Sequence, residues 1–208
     1  MSERPGNQLF DAYFTARDMR EVFCDAGRVQ AMLDVEAALA RAEARVGLIP
    51  QDAVAPIENA CRAQLYDFFS ALSEAIASAG NSAIPLVKAL GKRIATESAE
   101  AERYVHLGAT SQDVMDSGLV LQLRQALGLI EAELAQLAGT LARQAERYAA
   151  TPLAGRTWLQ HATPVTLGMK NRRLAGGDHP QSPTFERTQA ALAGTAIRRR
   201  LRNARRVG

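Results

Sequence analysis

Three polar stretches hold the residues whose types and spacing could do chemistry. The first is His106-Leu107-Gly108-Ala109-Thr110-Ser111-Gln112-Asp113, which feeds a long apolar-periodic segment. Thr110, Ser111 and Asp113 are all helix N-cap types, and the first N–H groups of a helix have no intrahelical partner. With the positive end of the helix dipole they make a receptor for a carboxylate or phosphate. Two readings stand here, a plain cap and an anion site. The second stretch, Gly80-Asn81-Ser82-Ala83-Ile84-Pro85, pairs turn formers with a proline suited to a first helical turn. It reads as a helix start or as a second polar loop facing a ligand. The third runs from Leu153 to Gly168 and carries Arg156, Thr157, Gln160, His161 and Thr163, more hydrogen-bonding groups than a connection between helices needs.

The elements that must position these residues are helical. After the first stretch, Leu123, Leu127, Ile130, Leu134, Leu137 and Leu141 recur at alternating intervals of four and three, the seam of a helix packing along its length on other helices. From Gln112 to Ala150, where Thr151-Pro152 ends it, such a helix would reach roughly 55–60 Å. That length suits a bundle, often one shared between subunits. Upstream, residues 7–20 hold an aromatic cluster expected to pack on the body. Helical patterning starts near Asp18, and Met32, Val35, Leu39, Ala42 and Val46 mark an amphipathic helix ended by Gly47. Gln51–Ala63 and Tyr66–Ala79 read as further short helices, and Glu97–Tyr104 as loosely helical.

Composition agrees with an all-α chain: rich in Ala and Leu, poor in aromatics, without runs of alternating β-branched residues. Its 208 residues are enough to bury a real core. Cys24 and Cys61 form no CxxC or metal-ligand spacing, so no metal is expected, and reduced thiols in a cytoplasmic protein account for them. The amino terminus has no apolar signal region, and no apolar run reaches membrane-spanning length. The net charge of +3 divides unevenly. Residues 1–170 carry −4, whereas residues 171–208 hold 9 Arg and 2 acidic residues for +7. That Arg-rich tail, broken by Gly176-Gly177 and two prolines, shows no core of its own, although a short basic helix over 185–206 is conceivable.

Taken jointly and in order, the three stretches resemble the fumarase/aspartase superfamily, and most closely its 3-carboxy-cis,cis-muconate cycloisomerase branch. The resemblance covers about residues 7–170. The branch rests on Trp158 in Gly155-Arg156-Thr157-Trp158-Leu159-Gln160-His161, because fumarases and related lyases typically place His there. Trp cannot transfer a proton, and a loop anchor is the other reading of it. The resemblance implies an all-α fold with an amino-terminal helical domain (1–110), the first long helix of a central bundle (111–170) and a non-matching tail (171–208).

It also implies a cofactor-free reaction at a small polycarboxylate, within a homotetramer whose active site is built from three subunits. In that assignment Asn81, Ser82, Thr110, Ser111 and Gln112 bind carboxylates. Thr157, Gln160 and His161 position the substrate, with Ser111, Thr157 and His161 as candidate catalytic groups and Gln160 also binding. Family members are about twice this length or more, and their Ser-bearing loop (Gly-Ser-Ser-x-Met-Pro) has no counterpart in this sequence. The tail has the composition expected of a GC-rich gene read in a shifted frame; a purposeful basic arm that binds nucleic acid is the alternative.

Overall fold

A computed structural model describes residues 12–67 and 72–175. The described residues fall into two compact units, one reaching to Ala126 and the other starting at Leu127. In order, the helices are α1 (Arg17–Phe23), α2 (Asp25–Arg45), α3 (Val54–Ala60), α4 (Ser73–Ala79), α5 (Ala83–Ala95), α6 (Ala99–Glu102), α7 (Ser111–Arg147) and α8 (Leu167–Leu174), with 3-10 turns at Gln51–Ala53 and Ala63–Leu65. Between α7 and α8 lie strands β1 (Pro152–Thr157) and β2 (Gln160–Thr166). The all-α expectation holds apart from this one hairpin.

The first unit is organised by α2, which is long enough to run past every other element of the core. Leu33, Ile57, Leu86, Leu90, Ile94 and Val114 are its largest fully buried side chains, drawn from α2, α3, α5 and the start of α7. Burying a side chain of this size contributes about 1.5–3 kcal/mol. On α2 the buried face is centred on Leu33, Glu36, Ala37 and Ala40. Of the expected stripe, Met32 and Leu39 are buried and Val35 and Ala42 half-buried, whereas Val46, just past the helix end, is 77% exposed. Glutamates at core positions hide this face from an apolar count. Of the expected helix over 66–79, Ser73–Ala79 is α-helical, Leu72 adjoins it in helical conformation and Tyr66 is extended; residues 68–71 lie outside the described part. Tyr13 and Phe14 stand exposed and meet each other edge to face at 6.3 Å instead of packing on the body; residues 7–11 of that aromatic segment lie outside the described residues.

Helix α7 is a single unbroken helix of 37 residues. In the first unit it packs through Val114, Gly118, Gln122 and Ala126, all buried and spaced by one turn. Gly118 lets the helices approach closely: a Cβ would lie 3.0 Å from Met32 Cγ and 3.3 Å from the Met32 backbone nitrogen. Gln122 Nε2 donates to the Val22 carbonyl at 2.6 Å, closing α1 onto the same helix. The leucine seam behaves differently. Ile130, Leu134 and Leu137 are 40–54% exposed, and Leu123, Leu127 and Leu141 are half-buried.

The second unit holds the rest of α7, the hairpin and α8. Gly168 seats α8 on the end of α7, where a Cβ would come within 2.4 Å of the Ala145 carbonyl. Thr166 caps α8 by accepting from Met169 N at 3.1 Å. Residues 171–174 therefore belong to a helix with Asn171 buried, which departs from the coreless tail expected from residue 171 onward. The candidate basic helix over 185–206 lies outside the described residues. Among the described residues no helix is long and apolar enough to cross a membrane.

Candidate functional site

In the first unit two helix N-termini flank α2. At the start of α5, Asn81 Oδ1 accepts from the N–H groups of Ala83 at 2.9 Å and Ile84 at 3.1 Å. The carbonyl end of Asn81 is thereby committed to capping, and its amide NH2 is not used by the cap. Ser82 is half-buried, its hydroxyl 3.9 Å from Met32 Sδ. Met32 is also the residue against which Gly118 of α7 packs. Met32 therefore touches both α5 at its first residues and α7 two turns beyond Ser111.

At the start of α7 a reciprocal capping box forms. Asp113 Oδ2 accepts from Thr110 N at 3.0 Å and Thr110 Oγ1 at 2.7 Å, while Asp113 N donates to Thr110 Oγ1 at 3.3 Å. Thr110 is thus engaged as a cap. Gln112 Nε2 donates to Asp116 Oδ1 at 2.6 Å, one turn along an exposed face. Ser111 differs from its neighbours: its side chain is half-buried and its hydroxyl has no hydrogen-bond partner among the described residues. Of the three sequence candidates at this helix end, Ser111 keeps its side chain available for a ligand.

The loop leading into that end is fixed by a contact that sequence reasoning missed. His106 Nδ1 lies 2.6 Å from Glu36 Oε1, and Glu36 is 2% exposed. The hydrogen bond to Glu36 raises the imidazole pKa above its ordinary 6.5; burial pulls it back, and the charges of Glu36, Asp113 and Glu43 reinforce the rise. His106 adopts a left-handed φ of 58°, and Gly108 follows at φ 67°. Two such turns in three residues redirect the chain into α7. The signal available in sequence was Glu36, one of two glutamates on the core face of α2, a position that calls for a cationic or hydrogen-bonding partner.

In the second unit the third stretch is a hairpin, not a loop. Antiparallel pairing sets Thr157 opposite Gln160 and Arg156 opposite His161, with an irregularity between Leu153 and Gly155. Gly155 is required where the strands close: a Cβ there would meet the Thr163 carbonyl oxygen at 2.2 Å. Trp158 and Leu159 form the two-residue tip at φ 44° and 63°. A tip with both residues left-handed matches the right-handed twist of its strands, but Asn and Gly are its usual occupants. That is why the turn was unreadable in Trp-Leu. Trp158 is 92% exposed and buries little of itself against the described residues, and Thr157, Gln160 and His161 are exposed as well.

Asn81, Ser82, Thr110, Ser111 and Gln112 lie in the first unit. Thr157, Gln160 and His161 belong to the second. Among the described residues no three His, Cys, Asp or Glu side chains gather as a metal site.

The lyase family profile matches residues 12–177, and the chain belongs to that family. The match runs a few residues past the expected limit of about 170. The chain is 73% identical over 176 residues to 3-carboxy-cis,cis-muconate cycloisomerase of Pseudomonas aeruginosa, covering 85% of this chain and 38% of that one. The crystal structure of 3-carboxy-cis,cis-muconate lactonizing enzyme from Pseudomonas putida superposes with a TM-score of 0.78 at 66% identity, over 90% of this chain and 41% of that one. The β-carboxy-cis,cis-muconate cycloisomerase of Acinetobacter calcoaceticus gives 0.78 at 40% identity, over 90% and 42%. The chain therefore spans about two fifths of the length of these relatives.

Proposed function

We propose that this chain carries the amino-terminal carboxylate-binding elements of a 3-carboxy-cis,cis-muconate cycloisomerase, acting without a cofactor in the cytoplasm on a small polycarboxylate. The observation that carries the reading is the 73% identity to an enzyme of that name across 85% of the chain. In the reaction a substrate carboxylate oxygen bonds to one alkene carbon. The π electrons move toward the neighbouring carbon and its carboxyl group, giving an aci-carboxylate that then takes a proton at carbon. Charge builds on one carboxyl group during that step. Donors fixed in advance toward it stabilise the transition state more than the ground state. The Ser111 hydroxyl and the open N–H groups of α7 are suited to this role, with the Asn81 amide and the Ser82 hydroxyl on the second helix end.

Division of the sequence into an amino-terminal domain (1–110) and the start of a central bundle (111–170) belongs to the same reading; compact packing along α7 continues beyond that boundary to Ala126. Assembly into a homo-oligomer through the leucine seam also belongs to it. The test is loss of the ultraviolet absorbance of 3-carboxymuconate when the chain is mixed with the carboxy-terminal portion of a relative. Turnover in the mixture supports the reading, provided that Ser111→Ala in this chain weakens it. A mixture that assembles but never turns over refutes it. A different superfamily lyase is the second reading, and Trp158 in place of a proton-transferring His disfavours it. A helical module with a nucleic-acid-binding tail would instead show salt-dependent binding to duplex DNA that disappears on deletion of 171–208.

A further inference from the structure

Hairpin β1–β2 carries an arrangement that the proposed reaction does not use. Successive strand residues point to opposite faces of a sheet. The register therefore separates the sequence candidates: Thr157 and Gln160 share one face, whereas His161 shares the other with Arg156. Directly opposed residues have Cβ atoms about 5 Å apart, close enough for both side chains to reach one small group. Arg156 and His161 are both exposed, and neither side chain has a hydrogen-bond or ion-pair partner among the described residues. A guanidinium opposite an imidazole is unfavourable once the imidazole is protonated. An anion lying across the pair reverses the sign of that interaction.

We infer that Arg156 and His161 form a two-residue clamp for one carboxylate of a small polycarboxylate. The inference rests on the polycarboxylate reading above and adds Arg156 as a binding residue. The planar guanidinium offers two parallel N–H donors that match the two oxygens of a carboxylate, and the imidazole adds a third donor from the other strand. The backbone register brings the two side chains to one place: the chain turns through two residues at positive φ, and the strands close at Gly155, where a side chain has no room. Each side chain still gives up rotamer freedom when the anion is held.

Trp158 is the one tryptophan of the chain and sits between Thr157 and Leu159 at the tip. Its fluorescence therefore reports on the hairpin, whether the chain is monomeric or assembled. The 208-residue chain is titrated with propane-1,2,3-tricarboxylate at constant ionic strength. The expected result is a saturable change in Trp158 emission at a fixed pH at which the probe is fully ionised. Arg156→Gln weakens it by about tenfold, the loss of one charge-assisted contact. Arg156→Lys keeps the charge without the fork and weakens it less, and His161→Phe, which removes the third donor, weakens it as well. Lys170→Gln, which deletes an exposed cation from α8, leaves binding unchanged. Far-ultraviolet circular dichroism establishes that each variant is folded. No saturable response in the unchanged chain, full-strength binding by folded Arg156→Gln, or equal weakening by Lys170→Gln overturns the clamp. The cycloisomerase reading is scored separately by turnover in the complementation mixture, so either can fail while the other stands.

Discussion

Deleting the imidazole of His106 tests how the loop before α7 is held. In His106→Ala, Glu36, 2% exposed in the unchanged chain, loses the group 2.6 Å from its carboxylate. Breaking a fully buried ion pair by removing one member costs about 3–5 kcal/mol. Here the His106 side chain retains 20% exposure, so water screens part of the interaction. The appropriate scale is that of a hydrogen bond to a charged group, about 1.5–3 kcal/mol. Backbone strain at φ 58° is common to His and Ala and does not enter this difference. His106→Gly removes that strain as well, which returns about 1 kcal/mol.

The sign with pH follows from the raised imidazole pKa. A group whose folded pKa lies above its unfolded value contributes stability that is full below the unfolded value, here 6.5. That contribution declines as pH rises through the folded pKa. The gap in urea midpoint between the unchanged chain and His106→Ala is therefore widest near about pH 6 and narrows toward about pH 9. Protein concentration is held fixed, because association shifts apparent stability. A gap of equal size at both values, or one that widens with pH, refutes the argument.

Three further outcomes are expected. Ser111→Ala, in the chain complemented for turnover, weakens substrate binding or rate by about 1–3 kcal/mol, read from kcat/KM; unchanged kinetics return Ser111 to a purely capping role. Replacing Ile130, Leu134 and Leu137 by Glu abolishes self-association in sedimentation, because each apolar side chain gains roughly 1.5–3 kcal/mol when buried by a partner; association that survives the triple change shows the seam is not the contact. Cys61, 5% exposed and with its thiol pushed up to about 12 by burial and then by the charges of Glu36, Asp34 and Glu58, resists alkylation until the chain unfolds, while Cys24 is modified in the folded state; equal rates measured by mass spectrometry contradict this.

Much of the helical frame was legible in the residues. The leucine seam located one helix of nearly the observed length, since Gly and Pro are absent from its interior but for three glycines and Thr151-Pro152 must stop it. Thr110 and Asp113, three apart, announced the capping box that the structure contains. The family, too, was readable from three motifs in order, because each motif needs particular side chains at particular backbone positions.

Other features depended on what meets across the chain. Whether the seam is buried could not be read from its spacing: periodicity shows that a helix has an apolar face, and only packing shows whether something covers it. Glu36 looks like an ordinary helical glutamate until His106, seventy residues on, closes over it at 2.6 Å. The hairpin was read as a loop because its tip is Trp-Leu, and a left-handed turn in such residues is imposed by the pairing of its strands, not by their own preference. That same pairing decided which polar residues act together. Along the sequence Thr157, Gln160 and His161 read as one group, but a strand turns alternate side chains to opposite faces, and the register places His161 beside Arg156.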